Sequence, residues 1–109
     1  MKLIDNSETS KFHFQGSFMQ TLAGNDQGLK TFEVFRLSVG PGNEIPPNVY
    51  QGEVVALTLR GKGRLVIDEK QISIRPDTTL VIPSGASRQV FNTGSEELVL
   101  LLVRGMVPI

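Results

Sequence analysis

With 109 residues, 39% of them apolar before 11 glycines are counted, the chain has the length and composition of one globular domain with a single core. Eleven Lys and Arg balance eleven Asp and Glu, which leaves no basic surplus for phosphate contacts and excludes nucleic acid as an expected partner. The absence of cysteine removes disulfides, thiol catalysis and thiolate metal sites, and one histidine, His13, leaves no imidazole set from which a single chain could build a zinc or iron centre.

Met1 to Lys11 is polar and mixed in charge, without the apolar stretch of a secretory signal, and reads as a loose start to a cytoplasmic protein whose one domain spans 12–109. From Phe12 onward the pattern is short β-type runs broken by Gly, Pro, Asn and Asp, with no lasting helical period. Strands are expected near 12–15, 17–23, 31–39, 45–50, 53–60, 63–67, 71–74, 78–82, 87–92 and 97–104. In the first, His13 faces away from Phe12 and Phe14, a position for solvent or a subunit contact rather than a metal. In the third, Phe35, Leu37 and Val39 share the core face, while Arg36 and Ser38 take the other.

The turns follow from their residues. Gly61-Lys62-Gly63 supplies the positive φ of a tight hairpin, with Arg60, Lys62 and Arg64 forming a solvated tip. Asp68-Glu69-Lys70 and Arg75-Pro76-Asp77 are expected to close the next two hairpins. Pro41, Pro46, Pro47 and Pro83 cannot donate to a central ladder and belong at edges, strand starts or corners. The last strand is apolar on both faces, through Leu98, Leu100 and Leu102 on one and Val99, Leu101 and Val103 on the other. That run is far short of a bilayer span, so no membrane is implied, and its second face calls for a second copy of the chain. Many short strands without helix make an all-β sandwich or barrel.

Gly42 to Gly61, GNEIPPNVYQGEVVALTLRG, resembles the first motif of the cupin superfamily, and Asp77 to Asn92, DTTLVIPSGASRQVFN, resembles the second. Gly42, Gly61, Pro83, Gly85 and Asn92 fall on family positions, with Asp77 in place of a glycine. The resemblance implies a double-stranded β-helix or jelly-roll barrel and a homodimer. It also marks what has changed. Asn48, Tyr50 and Arg88 stand where the family keeps three histidines. The family's glutamate falls on Val54 by strict spacing, or on Glu53 if the strand holds a bulge. An imidazole metal site therefore does not carry over, and no metal or other cofactor is expected.

Alternation puts Asn48 with Tyr50, Val54 with Ala56 and Thr58, and Arg88 with Val90 on inward faces. Asn48, Tyr50, Glu53, Thr58 and Arg88 are accordingly the candidate ligand-binding residues. Arg88 needs an acidic partner in an apolar interior, supplied by Glu33, Glu44 or Glu53 or by an anionic ligand. Three readings stay open. The barrel binds a small polar or anionic molecule; or it is a metal-independent lyase or isomerase of a carboxylate or sugar, with Tyr50 moving the proton and Arg88 holding the anion; or it is an accessory dimer with a filled cavity.

Overall fold

Ten strands form the architecture of residues 1–106, the part of the chain that the computed structural model describes; residues 107–109, the end of the expected domain, lie outside the described part. They are β1 (Lys11–Phe14), β2 (Ser17–Ala23), β3 (Phe32–Val39), β4 (Glu44–Val49), β5 (Val54–Arg60), β6 (Gly63–Ile67), β7 (Lys70–Ile74), β8 (Thr78–Ile82), β9 (Ser87–Asn92) and β10 (Leu98–Gly105). Each lies within a residue of its expected place. Helix is confined to two short 3-10 turns, Asn6–Glu8 and Asn25–Gln27, and no described helix is long and apolar enough to cross a membrane.

The strands form two antiparallel sheets, one ordered β1-β2-β3-β10-β5-β8 and the other β4-β9-β6-β7. Their inward faces pack on each other as a double-sheet barrel. From β3 onward the chain crosses between sheets at nearly every turn, and this corrects two of the expected hairpins. Asp68 (φ 45°) and Glu69 (φ 74°) do close a hairpin between β6 and β7, with Ile67 opposite Lys70. Strand β5, however, pairs with β10 and β8, while β6 pairs with β7 and β9. Gly61-Lys62 is thus a corner between sheets and not a hairpin tip. Arg75-Pro76-Asp77 is likewise a corner, from β7 to β8. The positive φ of Gly61 and Asp77 is as useful for turning out of a sheet as for turning back along it. The prolines sit as anticipated, Pro46 and Pro47 at an irregularity in the edge strand β4.

Register sorts the interior into two ends. At one end Val39 lies opposite Leu98, and Gly63 lies opposite both Ile74 and Asn92. Here Val39 and Leu98 are fully buried and the space is filled. At the other end Glu33 and Val54 flank Arg104, and Asn48 and Ile67 flank Arg88. Both arginines thereby reach the end of the barrel that remains hollow.

Outside the six-stranded sheet, part of the surface is covered by the chain's own beginning. Gln20, 1% exposed, donates through Nε2 to the Asn6 carbonyl oxygen (2.5 Å) and to Thr9 Oγ1 (2.7 Å). The start of the chain is therefore tied down at Asn6–Thr9 rather than loose throughout. Ser38, expected on the open face, is 3% exposed and donates to the Glu97 carboxylate. It is buried because β3 lies inside the sheet, between β2 and β10. Beyond this cover, Val55, Leu57, Val99, Leu101 and Val103 present half-buried apolar side chains, continued outward by Leu59 and Val81, 52% and 67% exposed.

Candidate functional site

The hollow end is a cavity of about 200 Å³. Its wall is made by side chains that alternation turns inward: Phe14 and Met19 from β1 and β2, Phe35 and Leu37 from β3, Val54 and Ala56 from β5, Leu65 from β6, Val90 from β9, and Leu100 and Leu102 from β10. Four polar side chains interrupt it, Asn48, Tyr50, Arg88 and Arg104. Such a lining, apolar with a few placed polar groups, is the usual make-up of a small-molecule site.

Arg88 is 8% exposed. Its Nη2 donates to the Ala86 carbonyl oxygen at 3.2 Å, whereas Nε is buried and donates to nothing. The ion pairs among the described residues, Arg60–Glu96 and Arg104–Glu33, do not include it. None of the expected internal partners serves: Glu33 is taken by Arg104, and Glu44 and Glu53 are exposed. Burial holds the Arg88 guanidinium below the ordinary arginine pKa, with the neighbouring Arg104 charge acting the same way and Asp68 and Tyr50 acting against it.

Arg104 is built differently. It lies directly opposite Glu33 on β3, and its Nη2 and Nε both reach Glu33 Oε2, at 2.8 and 2.9 Å. Its guanidinium stands 4.5 Å from the Phe35 ring centroid and 4.3 Å from that of Tyr50. The Tyr50 hydroxyl donates to the Gly105 carbonyl oxygen at 2.5 Å. Gly52 makes this ring position available, since a Cβ there would lie 2.5 Å from Tyr50 Cε2. Arg104 is thus paired with a carboxylate, while Arg88 has one carbonyl acceptor and no ion-pair partner among the described residues.

Residues 35–104 match the family model described as the cupin domain, across both motif segments and eight of the ten strands. The chain belongs to the cupin family. Among curated relatives, auxin-binding protein 1 of Arabidopsis thaliana is 31% identical over 99 residues, covering 82% of this chain and 50% of that protein. Auxin-binding protein T85 of Nicotiana tabacum is 30% identical, covering 82% of this chain and 54% of that protein. The chain therefore spans about half the length of the curated relatives it matches. Among solved structures, the polyketide cyclase RemF of Streptomyces resistomycificus superposes with a TM-score of 0.84 at 18% identity, covering 96% of this chain and 79% of that one. At that identity the likeness concerns the fold alone.

Set on the cupin barrel, the metal positions hold groups that do not suit a metal. Asn48 is exposed and its amide donates to the Pro46 carbonyl oxygen at 3.3 Å. The phenol of Tyr50 is engaged with Gly105, and a guanidinium offers a cation only positive charge and N–H donors. Among the described residues no three His, Cys, Asp or Glu come together. This donor set does not fit the family's metal. The glutamate position resolves to Val54, buried at 4% and lining the cavity; Glu53 is exposed, because β5 starts without a bulge at that point. Thr58 is buried at 5% but outside the cavity wall, opposite Leu100 and Thr78. The barrel thus gathers Asn48, Tyr50 and Arg88 and leaves out Glu53 and Thr58. Sequence reasoning missed Arg104, although the Leu98, Leu100, Leu102 alternation places residue 104 on the same inward face.

Proposed function

We propose that this cupin binds a small organic anion in the barrel, with Arg88 as its anchor and the aromatic and aliphatic wall holding the apolar part of the molecule. One observation carries the reading: a buried guanidinium with no carboxylate partner, its Nε left over, facing an apolar cavity. An unpaired charge in such a place costs several kcal/mol or more in solvation, and an anion arriving from solution relieves that cost. The open volume favours this over a filled barrel. The alternative acid–base role for Tyr50 is weakened by its hydroxyl, whose proton is committed to the Gly105 carbonyl oxygen. Calorimetric titration with a panel of acetate, benzoate and inorganic phosphate tests the reading, with auxin added because the curated relatives carry it in their names. Saturable binding of an organic anion that disappears in Arg88→Met is the expected result; binding unaffected by that change overturns it.

Two further expectations belong to the same reading. Purified protein contains no stoichiometric iron, manganese, nickel or zinc, because the side chains at the family's ligand positions repel or ignore a cation; elemental analysis finding about one per chain contradicts this. The protein is also a homodimer, joined through the outer face of β10, β5 and β8. That face is apolar, and the N-terminal segment covers only the β2–β3 side of the sheet. With 11 charges of each sign, a second copy meets no net repulsion. Sedimentation at micromolar concentration is expected to give a dimer, and Leu59→Lys with Val81→Lys to give a folded monomer. A wild-type monomer at that concentration disposes of the proposal.

A further inference from the structure

We infer that the cavity is built to accept a ligand carrying one negative charge and to discriminate against one carrying two, with Glu33 as the residue that sets the count. The inference rests on the anion-binding reading above and adds the charge class of the ligand to it. Two guanidiniums, Arg88 and Arg104, line one cavity. Glu33 lies opposite Arg104 in the sheet and holds it through two contacts to a single oxygen. Of the other acidic groups, Glu44 lies opposite Phe91 toward the filled end, Glu53 is exposed, and Asp68 is exposed, its carboxylate accepting from the Ser87 amide at 2.9 Å and forming no ion pair with Arg88. Of the two cavity guanidiniums, one is in ion contact with a carboxylate, which leaves one for a ligand to match.

A second ligand carboxylate has two places to go, both unfavourable. Against Phe14, Leu37, Val90 or Leu100 it is an unpaired charge on an apolar wall. At Arg104 it must displace Glu33, whose side chain is only 23% exposed and then loses its partner. The stacking of Arg104 between Phe35 and Tyr50 also keeps the guanidinium from swinging toward Arg88 to form a two-armed clamp. Glu33 and Arg104 are therefore positioning and selectivity residues, and Arg88 is the binding residue.

Benzoate and phthalate share a ring and differ by one carboxylate, which makes them a matched pair of probes. Wild-type protein is expected to bind benzoate at least about tenfold more tightly than phthalate at neutral pH, as suits one unmatched charge. Glu33→Gln keeps an oxygen for Arg104 but removes the built-in charge, so phthalate gains about tenfold and the preference closes or reverses. The double variant Glu33→Gln with Arg104→Gln returns the cavity to a single positive charge and restores the preference for benzoate. Wild-type protein that binds both probes alike, in a manner lost with Arg88→Met, overturns the charge-count inference while leaving the anion reading in place. A failure of wild type to bind either probe, or binding indifferent to Arg88→Met, overturns both. The wild-type ratio is measured without any variant, so the inference stays open to refutation even where a substitution prevents folding.

Discussion

Arg88→Met is expected to make the ligand-free protein more stable and, at the same time, unable to hold an organic anion. The two effects have one cause. In the wild type the guanidinium is 8% exposed, gives one hydrogen bond to the Ala86 carbonyl oxygen, and leaves Nε unused. Methionine keeps most of the apolar stem and removes the charge, and exchanging a poorly paired buried ion for an apolar side chain of similar length raises stability by about 1–2 kcal/mol. The lost bond to Ala86 tempers the gain, since that carbonyl must then find water. Anion affinity should fall by about 100-fold, equivalent to about 3 kcal/mol for a charge-assisted contact in a desolvated site. Urea denaturation with and without benzoate reads both quantities: a higher midpoint without ligand and no ligand-dependent shift in the variant. A loss of several kcal/mol instead would mean that Arg88 is satisfied from within the protein, because breaking a true buried pair costs about 3–5 kcal/mol.

The strands are readable from sequence because each is short and bounded by residues whose backbone preference is strong, and several, such as β9, alternate in burial. Phe35, Leu37 and Val39 needed only the period of two to be placed inward. What local pattern does not contain is the identity of a strand's neighbour. A glycine with positive φ turns the chain, but whether it folds back on the same sheet or leaves for the opposite one depends on which distant strand competes for the ladder. At Gly61 the competitor is β10, which takes β5 as its partner from a position about forty residues on.

The site divides in the same way. Alternation turns Arg88 inward and leaves open whether its partner is an internal glutamate or a ligand; it lines the cavity, and the ion pairs among the described residues do not include it. Glu53 failed because one residue of register separates a cavity wall from solvent, and no bulge supplies that residue. Ser38 shows the limit of face assignment: its face is indeed not the barrel interior, yet the position is buried by its neighbours in the sheet and by Glu97. The pairing of Glu33 with Arg104, separated by most of the chain, is a product of β3–β10 register and has no local signature.

Gly61→Ala is expected to destabilise the protein by about 2–5 kcal/mol, among the largest effects available from the addition of a single methyl group. Two penalties combine. The backbone at Gly61 has φ +82°, where an L side chain costs about 1–2 kcal/mol. The added Cβ would also lie 2.5 Å from the Glu97 carbonyl oxygen and 2.9 Å from Leu98 Cα. Both obstacles are backbone at the entry to β10, so they cannot rotate away, and forcing them apart adds about 1–3 kcal/mol. Leu98 is fully buried at the filled end of the barrel, which ties the displacement to the core. Gly28 provides the comparison, having φ +96° and nothing within 4 Å of an added Cβ. Gly28→Ala should therefore show only the backbone penalty, about 1 kcal/mol. Denaturant midpoints for the two variants separate the terms. Equal losses at both positions would mean that the corner between β5 and β6 yields to the methyl group, and that the close approach of Gly61 to the start of β10 does not fix it in place.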